Sequence, residues 1–179
     1  MALSATMRRF QVELSDVDQG VYESLEVRAA QHPSESDRYL IARVLAFALE
    51  YQEDLHFGRG VSSPDEATIS TTDLTGQTKL WIEVGLPAPE RLHKIAKLAD
   101  QVVVYTHKDP EMMVAALKNA EVYRSEEIEV FRIDEELLQP LRDRVGKNNY
   151  WDLLRSEGRV YVTVDGETFE GAVVRVHPD

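Results

Sequence analysis

Glu83 is the residue that most needs a chemical explanation. It lies in the run Lys79-Leu80-Trp81-Ile82-Glu83-Val84, where Leu80, Ile82 and Val84 alternate with Lys79, Trp81 and Glu83 in the period of a β-strand. With Trp81 added, the strand is apolar on both faces, the pattern of the middle of a covered sheet. A carboxylate there is costly unless something compensates it. A metal ion is one such compensation. An Asp on a neighbouring strand and a Glu on this one make a small Mg²⁺ site, with Mn²⁺ as the alternative ion. Asp65 and Glu66, directly after Pro64, are the candidate partners. Asp73-Leu74-Thr75-Gly76 is a tight-turn signal, with Asp first and Gly last. A hairpin closed by that turn pairs Thr72 with Gln77 and brings Glu83 opposite Asp65 or Glu66, across neighbouring strands or just beyond the strand end. Opposed residues in such a ladder lie within about 5.5 Å. Two bare carboxylates that close repel each other, and one titrates high without a cation. Asp73 itself, at the far end, is expected to stabilise the turn.

The elements that must position these acids read as follows. Residues 6–14 and 22–29 are strands, joined into a hairpin by Asp16, Asp18 and Gly20, with a bulge expected near Ser24. Ser34 is expected to cap a helix, with Asp37 three residues on. From 39 to 51 the apolar stripe is wide, so this helix is largely buried, and Arg43 within it is expected to pair with a buried acid. Residues 57–63 form a loop, 68–72 a strand, 79–84 its hairpin partner, and Pro89 opens a helix to about Ala99. A buried strand at 101–105 completes a right-handed βαβ unit. A helix over 110–119, a strand over 129–133 and a short helix over 134–141 follow, with Asp134 as its cap. Strands 159–164 and 168–176 form a terminal hairpin across Asp165-Gly166. The expectation is one α/β domain over 1–179: a mixed sheet flanked by helices, with β-hairpins at both chain ends.

The 179 residues suffice for one domain with a real core, and 43% of them are hydrophobic. Cysteine is absent, which excludes disulfides and thiolate chemistry. No signal-peptide or membrane-span pattern is present, and a cytoplasmic location without a membrane partner is expected. The net charge of -12 denies the usual electrostatic footprint of a nucleic-acid binder. It lowers the expectation of a nucleic acid or another phosphodiester without forbidding one, because a local basic cleft or bound Mg²⁺ inverts the field. The five His residues are scattered, with no zinc-site spacing.

Asp65, Glu83 and the order helix, strand, strand, helix, strand resemble the core of the PD-(D/E)XK nucleases. That resemblance implies Mg²⁺ held by Asp65 and Glu83, and a Lys two residues after the second acid to assist the attacking water. Here that position is Gly85, so the resemblance passes the role to Lys94 or Arg91 on the next helix. A closer resemblance runs through nearly the whole chain. His32-Pro33-Ser34-Glu35, Arg59-Gly60, Asp65-Glu66, Trp81-Ile82-Glu83-Val84-Gly85-Leu86-Pro87 and Arg91 with Lys94 resemble the YaeQ family, small bacterial proteins with a variant PD-(D/E)XK fold.

Each acid also has a structural reading. Glu83 could sit in a core salt bridge, and Lys94 could pair on the surface with Glu90. Glu35, in the first turn of its helix, would be favoured by the helix dipole, although some nucleases of this fold place a helix acid in the site. Trp81 reads as core or cleft wall. Two functions therefore compete. One is a Mg²⁺-dependent phosphodiesterase site formed by Asp65, Glu83, Lys94, Glu66, Arg91 and Glu35. The other is a catalytically inactive nuclease-fold protein acting as a protein-binding or regulatory module.

Overall fold

The structure is a computed structural model that describes residues 4–59 and 65–179. In chain order it runs β1 (Thr6–Asp16), β2 (Val21–Gln31), α1 (Asp37–Leu49), β3 (His56–Phe57), β4 (Ile69–Thr72) and β5 (Thr78–Val84). There follow α2 (Pro89–Ala96), β6 (Ala99–Thr106), α3 (Glu111–Lys118), β7 (Glu129–Ile133) and α4 (Glu135–Asp143). The chain ends with β8 (Asn148–Ser156), β9 (Arg159–Val164) and β10 (Glu167–His177). This is a mixed α/β fold with four described helices, and a β-hairpin stands near each chain end. The chain divides into two compact units, Met1–Tyr51 with Ile133–Val173, and Gln52–Arg132 with Val174–Asp179.

In the first unit the strand order is β2-β1-β8-β9-β10. β1 pairs antiparallel with β2 and parallel with β8. Phe10, Val12 and Leu14, Leu25 and Val27, and Trp151 and Leu153 are all buried, two residues apart as a strand's inward face requires. The β1–β2 ladder runs unbroken from Thr6↔Gln31 to Asp16↔Val21, so the bulge expected near Ser24 is absent. The break in alternation there has a simpler cause: Tyr22 is on the outward face and 62% exposed. α1 is buried over ten consecutive positions, Leu40 to Leu49, as its wide apolar stripe required. Its cap is Ser36, not Ser34. Ser36 has extended backbone and its hydroxyl accepts from the Tyr39 N–H at 3.1 Å. The Ser34 hydroxyl is instead taken by His32 Nδ1 at 2.7 Å, within the turn before the helix.

In the second unit the order runs from the end of β10 through β7-β6-β5-β4-β3. β5, β6 and β7 are parallel, so α2 and α3 are the crossovers that such strands need. Their apolar residues, among them Leu92, Ile95 and Leu117, pack with Trp81, Val102, Val104 and Val130 into one cluster. Pro89 opens α2, but the helix ends at Ala96, earlier than expected, because β6 begins at Ala99. The β4–β5 hairpin turns at Asp73, with Gly76 N–H donating to the Asp73 carbonyl at 3.0 Å.

Candidate functional site

The register of that hairpin determines which residues reach Glu83. It differs from the expected one. Thr72 lies opposite Thr78 rather than Gln77, and an irregularity between Thr71 and Thr72 shifts the rest, so that Ser70 opposes Trp81 and Ile69 opposes Ile82. β4 starts at Ile69, so Asp65 and Glu66 lie just beyond the strand end, the second of the two expected placements, and not across the ladder from Glu83. Phe57 pairs with Ile69 instead, and the Gly58 N–H donates to the Thr68 carbonyl at 2.9 Å.

Glu83 is 7% exposed, and both its carboxylate oxygens are occupied. Trp81, two residues earlier on the same face of β5, donates its indole N–H to Oε1 at 2.7 Å. Arg91, in the first turn of α2, donates to Oε1 at 2.9 Å and to Oε2 at 3.2 Å. The guanidinium thus clasps the carboxylate with two donors, the geometry in which Arg pairs most strongly. The same Arg91 nitrogen reaches the backbone carbonyl of Glu66 at 3.2 Å, tying the loop before β4 to the site.

The other two acids have their own cations. Glu66 turns its carboxylate to Arg59, with an ion pair of 2.7 Å and a further bond of 2.9 Å from the Arg59 backbone N–H. Those bonds hold the Glu66 carboxyl below its ordinary range and raise the Arg59 guanidinium. Asp65 is 88% exposed and meets Lys94 at 3.4 Å. Lys94 therefore pairs with neither Glu83 nor Glu90, the two partners its sequence position allowed. Gly58 makes the close packing of this corner feasible: a Cβ there would fall 2.1 Å from the Ala67 carbonyl oxygen. His56, Phe57, Arg59, Asp65, Glu66 and Trp81 border a cleft of about 410 Å³.

Glu35 belongs to the first unit, where its side chain is 4% exposed and paired with Arg43 at 2.7 Å. That is the buried acid Arg43 was expected to have. Gly85, where the nuclease pattern calls for Lys, has φ +115° and donates its N–H to the Tyr105 carbonyl at 2.8 Å. Side chains avoid that backbone conformation, so this position is built for glycine. Sequence reading missed Arg59 as the partner of Glu66, since the sequence between them carries no periodicity. The Trp81–Glu83 bond did have a signal, because i and i+2 share a strand face. Among the described residues no group of three or more His, Cys, Asp or Glu is arranged to hold a metal ion.

The model of the YaeQ protein family matches residues 1–173. The chain belongs to the YaeQ family. YaeQ of Escherichia coli K12 is 25% identical over 171 residues, 95% of this chain and 94% of that one. YaeQ of Salmonella typhi is 33% identical over 107 residues, 60% and 59% of the two chains. The crystal structure of YaeQ from Xanthomonas axonopodis pv. citri superposes with a TM-score of 0.89 at 31% identity, covering 97% of this chain and 98% of that one. The one from Pseudomonas syringae gives 0.85 at 28% identity, covering 98% and 97%. The mixed α/β architecture is therefore that of solved YaeQ structures.

Proposed function

We propose that this YaeQ-family chain is a catalytically silent variant of the PD-(D/E)XK nuclease-like fold and acts as a protein-binding module. The observation that carries this reading is the state of Glu83, whose two oxygens are held by Arg91 and Trp81. A Mg²⁺ or Mn²⁺ ligand needs a free carboxylate oxygen. The described residues around Glu83 do not fit a metal ion, because a guanidinium stands where the ion would bind. Three acids face three cations, and the local charge is balanced without a metal. The glycine conformation at Gly85 and the net charge of -12 support the same reading.

One observation favours the alternative of a metal-dependent nuclease. Both cations of α2, Arg91 and Lys94, face the acids that this reading assigns to the metal. Titration calorimetry with Mg²⁺ and Mn²⁺, run beside a cleavage screen on single-stranded, duplex and structured nucleic acids, separates the two. The silent reading expects no saturable heat at millimolar metal and no cleavage. Saturable binding that is lost in Glu83→Gln would overturn it.

A further inference from the structure

A second feature of the Gln52–Arg132 unit lies apart from the ion-pair cluster, at the carboxyl ends of the parallel strands. β5 ends at Val84 and β6 at Thr106, and the loops that follow lead into α2 and α3. In open α/β sheets this is the end at which ligands bind. Here the loops and α3 enclose a groove of about 770 Å³. Its floor and walls are apolar, formed by Leu86, Pro87, Pro89, Met112, Ala115 and Ala116. Met112, Ala115 and Ala116 are one helical stripe of α3. Ala116 faces inward at 9% exposure, whereas Met112 is 88% and Leu86 44% exposed. Large apolar side chains left in water beside a groove mark an interaction surface.

The charge around the groove selects the partner. Asp109, Glu111 and Glu121 border it, and no Lys, Arg or His is among its described lining residues. None of the three acids makes an ion pair among the described residues. Lys118, on the same helix, is engaged by Asp179 at 3.0 Å. We propose that this groove docks a basic amphipathic protein segment, which inserts apolar side chains between Leu86 and Met112 and sets Lys or Arg against Asp109, Glu111 and Glu121. An apolar cleft with an acidic rim is complementary to such a segment on both counts. Met112 suits the task because its unbranched thioether adapts to varied apolar shapes. The inference does not depend on whether the Glu83 cluster is catalytic.

The test uses the full chain and two synthetic amphipathic peptides, one of leucine and lysine, the other of leucine and glutamate. Binding is read by fluorescence anisotropy and located by backbone amide shifts. The lysine peptide is expected to bind and the glutamate peptide not, with shifts at Leu86, Met112, Ala115 and Glu121. Met112→Asp is the deciding variant. It adds a negative charge, so a merely electrostatic attraction would strengthen, whereas docking in the groove should weaken about tenfold or more. Met112 is exposed, so the fold should persist, and circular dichroism checks this. Equal binding of both peptides, no binding, tighter binding by Met112→Asp, shifts centred elsewhere, or a groove buried in a dimer of this chain would each overturn the proposal.

Discussion

Glu83 and Glu35 are two buried acids with the same solution, a single arginine. Removing one partner of such a pair leaves an uncompensated buried charge and costs about 3–5 kcal/mol. Glu35→Ala should show that cost in denaturant unfolding, because it removes the carboxylate that pairs with Arg43 at 4% exposure. The Arg43 guanidinium also donates to the Ala30 carbonyl at 3.0 Å, a neutral acceptor that does not replace the lost carboxylate charge. At Gly85 the expected outcome is different. Gly85→Lys restores the residue type of the nuclease pattern, but φ +115° makes a side chain there cost about 1–3 kcal/mol. It should therefore lower the thermal midpoint and confer no cleavage. A variant that keeps its stability and cuts nucleic acid would contradict both the strain argument and the silent reading.

At the level of elements, the corner formed by β3 and β4 depends on one close approach. Gly58→Ala puts a methyl 2.1 Å from a backbone oxygen, which no side-chain movement relieves. The expected result is faster amide exchange at Gly58, which donates to Thr68, and a loosened Arg59–Glu66 pair; unchanged exchange would show the contact to be slack. Most elements were legible in the sequence because their periods were clean: the terminal hairpins, the buried α1 and the Lys79–Val84 strand. β8 was not. Its inward positions are Asn149, Trp151, Leu153 and Arg155, and the two polar residues hide the alternation. Both find their partners only in the fold, Asn149 in the Arg9 carbonyl at 2.9 Å and Arg155 in Asp16 at 3.4 Å. At the site, the residue types were legible and the pairing was not. A change of register between β4 and β5, one residue at the turn and one more at the Thr71/Thr72 irregularity, decides which side chains face Glu83, and no periodicity encodes it. β3, at two residues, is too short to carry a pattern.

For the molecule as a whole, acid is the informative perturbation. Asp18, Glu66, Asp73 and Asp100 are held below the ordinary carboxylate range. The largest causes are the Gly158 backbone N–H for Asp18, Arg59 for Glu66, the Thr75 hydroxyl for Asp73 and Lys79 for Asp100. The unfolded chain takes up protons first as pH falls, so this stabilisation is complete above about pH 4 to 5 and is lost progressively below. Melting temperature against pH should fall on that acid limb, and the double variant Asp18→Asn/Asp73→Asn should flatten it. An unaltered limb would mean that these bonds do not distinguish the folded carboxylates. The chain's division into units also governs its history. Arg9 meets Asn149, and Asp16 meets Arg155, so the first unit joins the earliest residues to late ones. The second unit, though mostly continuous, includes Val174–Asp179, whose His177 bonds the Ser125 carbonyl at 2.8 Å. During synthesis, then, neither unit has all its parts until the last strand has left the ribosome. Until β10 is made, the apolar strands of both units lack part of their final neighbours, the state in which exposed strand edges pair wrongly.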